Sequence, residues 1–288
     1  MLLGERCSRT VGFGLNLFLA FVFVASLYVF GRGPRDRPDV IRRRIAAVLT
    51  VSFLSPLALV ACATEHQREP GILSWLGLPN NLSPASWLLS PLLSLLLTML
   101  LFFGPLVQEY LEYPSFRKWC SCLVADLTSS SKKIHNLRAI IVGPFAEEWV
   151  FRSCMCSLMF GTGWGLLASS LIPPAIFGIS HLHHILDLIH VQGMSLRTAL
   201  LVVLFQLSYT CVFGVFASLV FFRTGNFLSC FVVHAFCNVM GFPDLSWISD
   251  SNRSRRFLIA FAYLLGIVGF GIASPRILDP DLYSSVFY

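Results

Sequence analysis

The chain is short of charge. Asp, Glu, Lys and Arg make up 12% of its 288 residues, about half the share of around 25% in soluble globular proteins. So few charges cannot cover a soluble body of 32.1 kDa. Apolar residues reach 56% and mean hydropathy is +0.73. A soluble globular class is excluded. The expected fold is an all-α polytopic membrane helix bundle forming one domain over 1–288, because a spanning helix satisfies its own backbone groups in lipid.

Other absences narrow the chemistry. The nine Cys form no CxxC pair, so neither a zinc knuckle nor a disulfide framework is expected. Most lie in apolar runs, where Cys is a small hydrophobe. No HExxH helix is present. No Ser or Cys stands beside an evident base, which argues against covalent catalysis. Cys237, next to Asn238, reads as packing. No internal repeat, low-complexity tract or interdomain linker stands out. The net charge of +6 comes from short loops between apolar runs, which is no nucleic-acid signature.

What is there is a series of apolar runs. Crossing the hydrocarbon core takes about 20 apolar residues. Eight spans are expected, at 11–30, 45–63, 87–107, 139–160, 164–181, 198–222, 227–242 and 257–273. The first follows Arg6 and Arg9. It is longer than the roughly 7–15 residues of a signal core, so it reads as an uncleaved anchor. The seventh is short and carries His234 and Asn238, as a re-entrant or cavity-lining helix would. The loops 31–44, 108–138, 182–197 and 243–256 hold fifteen Lys and Arg against five on the other side. That bias places these loops in the cytosol and both termini opposite. Two glycosylation sequons test the assignment, since it puts Asn81 on the luminal side and Asn252 in the cytosol. The longest loop, 108–138, mixes Tyr110, Tyr113, Trp119 and Leu123 with basic residues. It fits a helix along the cytosolic membrane surface or an ordinary solvated loop.

Ionisable residues inside spans are costly and mark function by default. The fourth span holds Glu147, Glu148 and Arg152, the fifth ends in Phe177 and His181, and the seventh carries His234 and Asn238. Glu148 and Arg152 are four residues apart, so they share a face and can pair. The pair could be structural or could position Glu147. Glu147 is rotated by about 100° and must face another neighbour. His234 and Asn238 share a face in the same way, and Phe177 lies beneath His181. Glu147 sits about 12 Å below the cytosolic start of its span. The fifth and seventh spans run the opposite way and bring His181, His234 and Asn238 near that depth. His183, His184, His190 and Asp187 read as interfacial residues.

A carboxylate and an imidazole in a low-dielectric cavity can share a water and take its proton. An Asn amide and a second His can donate to a developing oxyanion. These parts describe hydrolysis of an acyl bond by activated water. Glu147, His181 and His234 would also serve as a two-His, one-carboxylate zinc set.

Glu147-Glu148-x-x-x-Arg152, Phe177-x-x-x-His181 and His234-x-x-x-Asn238 resemble the three ordered motifs of the type II CAAX prenyl endopeptidases, the Ras-converting enzymes within the bacteriocin-immunity-type intramembrane proteases. The resemblance implies a catalytic core at about 139–242 and removal of the last three residues from prenylated CAAX proteins. Ras-like small GTPases at the endoplasmic reticulum membrane would be substrates, and the active site would open to the cytosol. It also implies that Glu147 and His181 activate the water and that His234 and Asn238 stabilise the oxyanion. Glu148, Arg152 and Phe177 would support the site, with no cofactor or metal. The prenyl chain could lie beside Phe145, Trp149 and Phe177. The competing expectations for the same buried residues are a proton-coupled transporter and a non-catalytic membrane scaffold.

Overall fold

The computed structural model describes residues 7–63, 71–78, 84–130 and 132–288. The Asn81 sequon, Arg6, His66 and Arg68 lie outside the described residues. Among those described the regular structure is entirely helical.

The main helices are α1 (Arg9–Val29), α2 (Pro38–Leu54), α3 (Pro56–Cys62), α4 (Ile72–Trp75), α5 (Pro84–Leu101), α6 (Phe103–Tyr110) and α7 (Phe116–Thr128). A continuous helix at 133–161, α8, comes next. Then come α9 (Leu166–Ser180), α10 (His184–His190), α11 (Leu196–Thr224), α12 (Phe227–Met240) and α13 (Arg253–Ile277). Each of the eight apolar runs contains a helix, but fewer qualify as full crossings. By length and composition five helices can cross a membrane: Arg9–Val29, Pro38–Cys62, Leu166–His190, Leu196–Thr224 and Arg253–Ile277. Trp87–Leu101 and Phe103–Tyr110 form a sixth span if their 69° bend is counted within one crossing. The two runs left over are the polar ones. α12 has 14 residues, about 21 Å of helix against a core of about 30 Å. α8 carries Glu147, Glu148 and Arg152 near its middle. In the 108–138 stretch, α7 is a helix capped by the Ser115 hydroxyl and buries no residue. The Trp119 ring packs on Phe116 at 5.5 Å and Tyr110 at 6.4 Å.

α8 lies at the centre. Ala146, Val150, Phe151, Cys154, Met155, Cys156, Leu158 and Met159 are all buried along it. Phe151 meets Phe23 of α1 edge-on at 5.4 Å and Phe177 of α9 at 4.6 Å. Two stretches of α8, Leu137–Val142 and Trp149–Cys156, are π-helical. Such wide turns are rare and gather at functional sites.

Prolines explain how α8 is held from two sides. Gly143 N–H reaches back five residues to Arg138 O. The residue next in line for Ala139 O is Pro144, which has no N–H. Asn238 of α12 fills the gap, its amide donating to Ala139 O at 2.8 Å. Likewise Pro56 cannot donate to Ser52 O four residues back. Trp149 Nε1 donates there at 2.9 Å, tying α8 to α2.

One expectation fails outright. Cys7 and Cys62 form a disulfide across 55 residues of sequence. It closes the α1–α2–α3 hairpin at the end opposite the 30–37 turn. No CxxC spacing announces it, because the two thiols are brought together by antiparallel helices.

Candidate active site

The two adjacent glutamates diverge as the helical rotation requires. Glu148 is fully buried. Its Oε1 accepts from Arg152 Nη1 at 3.1 Å and from His234 Nδ1 at 2.6 Å. Arg152 is also fully buried. Its guanidinium carbon lies 4.9 Å from the centre of the Phe177 ring and 5.8 Å from that of Phe213. Arg152 Nε and Nη2 find no hydrogen-bond acceptor among the described residues. Glu148 and two aromatic faces therefore carry this cation. Gly214 of α11 makes room for it. A Cβ there would stand 3.0 Å from Arg152 Nη2 and 2.9 Å from Pro174 Cβ.

Glu147 faces a different space, a cavity of about 280 Å³. His181 and Asn238 line the same cavity, so α8, α9 and α12 each contribute one group. His234 stands behind Glu147, with Nε2 3.8 Å from Glu147 Oε2. His234 and Asn238 are thus less alike than their spacing suggests: the ring is buried against Glu148, while the amide is exposed. His181 is at the end of α9, where its Nδ1 lies 2.9 Å from Phe177 O. A carbonyl oxygen only accepts, so Nδ1 carries the proton. Nε2 is then the acceptor of the neutral ring. Phe177 meets the His181 ring edge-on at 4.8 Å.

Several residues enter the site that the sequence left elsewhere. Arg35, Arg44 and Arg138 line the cavity, although in sequence they count only as loop charges. His184, read as interfacial, also lines it. The apolar wall is formed by Phe23, Val24, Leu27 and Val48 of α1 and α2. Phe145 and Trp149 do not face it. They stack on each other at 6.2 Å and pack against Phe227. Among the described residues no three His, Cys, Asp or Glu side chains converge at metal-binding distance. In the candidate zinc set, His234 instead spends Nδ1 on Glu148.

Comparison with known proteins agrees with the motifs. Residues 130–240 match the family model described as type II CAAX prenyl endopeptidase Rce1-like. The human CAAX prenyl protease 2 is 35% identical over 285 residues, covering 94% of this chain and 82% of that protein. A probable CAAX prenyl protease 2 of Schizosaccharomyces pombe is 30% identical, covering 89% of this chain and 90% of that protein. The Arabidopsis thaliana CAAX prenyl protease 2 is 27% identical over 98% of this chain. No solved structure matches the chain. These relatives are peptidases, which sets the hydrolytic reading above the transporter and the scaffold. With its paired glutamates, its histidines and its apolar helices, the chain belongs to the type II CAAX prenyl endopeptidases and is a multi-pass membrane peptidase.

Proposed function

We propose that this peptidase cuts the bond after the prenylated cysteine of a CAAX tail by direct attack of water, releasing the last three residues. The observation that carries the mechanism is the meeting of Glu147, His181 and Asn238 in one cavity, with His234 3.8 Å from Glu147. Glu147, with Nε2 of His181, takes a proton from a water between them. The water oxygen attacks the carbonyl carbon. The C–N bond then breaks and the proton passes to the leaving amine. The oxyanion receives hydrogen bonds from Asn238 and His234. Asn238 uses one amide hydrogen on Ala139 O and has a second for the oxyanion. His234 spends Nδ1–H on Glu148, so it donates through Nε2 when the ring carries a second proton. Glu148 and Arg152 hold that ring in place.

Ras-like small GTPases are the substrates in this reading, and the endoplasmic reticulum membrane is the site. The cavity faces the cytosol, where CAAX tails are. The disulfide supports that orientation. Such bridges persist in oxidising compartments, and Cys7–Cys62 lies at the opposite end of the α1–α2 hairpin from Arg35 and Arg44 of the cavity. The prenyl chain lies along the wall of Phe23, Val24, Leu27 and Val48.

The test is purified protein in lipid vesicles with a farnesylated CAAX peptide, reading tripeptide release by mass spectrometry. Glu147→Ala and His181→Ala are each expected to lower kcat by about 10²–10⁴-fold. Unchanged rates in either variant would refute the assigned roles. Full activity after exhaustive chelation is expected; loss on chelation that zinc restores would replace this mechanism with a metal one.

A further inference from the structure

Three guanidinium groups, Arg35, Arg44 and Arg138, line the cavity, against one carboxylate, Glu147. Of the three, Arg138 is paired. Its Nη1 and Nη2 lie 3.3 Å from Asp36 Oδ1, and Nη1 donates to Arg35 O at 3.0 Å. Arg44 is half-buried. It donates Nε to Gly31 O at 3.2 Å, and its guanidinium carbon lies 5.9 Å from the Tyr28 ring centre. Neither Arg44 nor Arg35 has an ion pair among the described residues. Asp187 acts on Arg44 only from beyond ion-pair distance. Arg35 is exposed, but Arg44 is partly desolvated. A partly desolvated cation without counter-charge is costly, and an anionic ligand in the cavity offsets that cost.

The spacing suits a particular anion. A CAAX substrate ends in a free carboxylate three residues beyond the bond to be cut. An extended tripeptide spans about 10 Å, at 3.3–3.6 Å per residue. Arg138 precedes Glu147 by nine residues on α8, at most about 14 Å along the axis, and the π-helical stretch shortens that rise. Arg44 and Val48, one turn apart on α2, both face the same cavity.

We propose that Arg44 and Arg35, steadied by Arg138, bind the substrate's C-terminal carboxylate and so fix the cut three residues from the chain end. This rests on the function proposed above and adds the groups that measure the tail. Arginine suits the task because its fork matches a carboxylate with two parallel hydrogen bonds.

The experiment compares kcat/KM for a farnesylated CAAX peptide as free acid and as C-terminal amide. Both are measured on one preparation, so the ratio is independent of the fraction folded. The wild type is expected to prefer the acid by about ten- to a hundredfold, as charge-assisted hydrogen bonds of about 1.5–3 kcal/mol imply. Arg44→Gln is expected to bring the ratio to near one, Arg35→Gln to reduce it, and Arg44→Lys to keep part of it. Arg43→Gln should keep the full ratio, since Arg43 pairs with Asp39 outside the cavity. Equal wild-type rates for acid and amide overturn the proposal alone. So does Arg44→Gln lowering both rates in proportion, which marks a structural or lipid-headgroup role. If the wild type turns over neither peptide, the hydrolytic reading falls and this proposal with it.

Discussion

Removing the charge of Glu148 while keeping its shape separates what the buried cluster does for stability from what it does for chemistry. In Glu148→Gln, Arg152 remains fully buried without a counter-ion. At 3.1 Å between Nη1 and Oε1, the lost attraction is about 5 kcal/mol for an effective dielectric constant of about 20. The Gln carbonyl still accepts one hydrogen bond, returning about 1 kcal/mol. The Phe177 and Phe213 rings flank the guanidinium before and after, so their contribution cancels. The expected loss is about 4 kcal/mol, within the 3–5 kcal/mol typical of a broken buried pair. The double variant Glu148→Leu with Arg152→Leu removes both charges. Apolar replacement of a buried pair is commonly neutral or stabilising, so most of the loss should return. Activity should not return, because His234 Nδ1 has lost its acceptor. Thermal unfolding in detergent reads the first quantity. Tripeptide release, at a temperature where every variant is folded, reads the second. A double variant as unstable as Glu148→Gln, or one with wild-type turnover, would refute the division of roles.

Three further outcomes are expected. Gly214→Ala forces a Cβ to 2.9 Å from Pro174 Cβ and 3.0 Å from Arg152 Nη2, both held in packed surroundings. The expected destabilisation is about 1–3 kcal/mol, and an unchanged unfolding temperature would show that α9 and α11 can part freely. Cys7→Ser opens a bridge spanning 55 residues, worth up to about 4 kcal/mol by loop entropy. In the wild type, maleimide should reach Cys62 only after reduction, and labelling without reductant would contradict the bridge. Asn252 should carry no glycan when the chain is expressed in a glycosylating host, whereas a glycan there would reverse the orientation.

Sequence was most informative where local chemistry decides the outcome. Each apolar run became a helix because a chain in lipid must pair its own backbone groups. Glu148 and Arg152 met because four residues make about one turn, and Glu147 diverged from Glu148 for the same reason. The three motif helices could be named, but their partners could not. His234 was paired in sequence with Asn238, yet its nearest hydrogen bond is to Glu148, 86 residues away. Asn238 finds Ala139 O because Pro144 has no N–H, a vacancy that matters only once α12 packs on α8.

The arginines show the same limit from another side. Counting them assigned an orientation, since insertion reads charge by loop. They meet at the cavity only in the fold, Arg44 from α2, Arg138 from α8 and Arg35 from the 30–37 turn, where the Arg35 carbonyl accepts from Arg138. The Cys7–Cys62 bridge likewise needed two antiparallel helices to align their ends. By itself the sequence determined that this chain is a helical membrane protein with a short list of polar groups inside apolar helices, because hydropathy and helical periodicity are local properties. Its peptidase character was legible only through the likeness of three motifs to a known family. The tertiary structure alone decided which of those groups share a cavity, which hold one another, and which loop charges join them, because these relations depend on contacts between helices far apart in the chain.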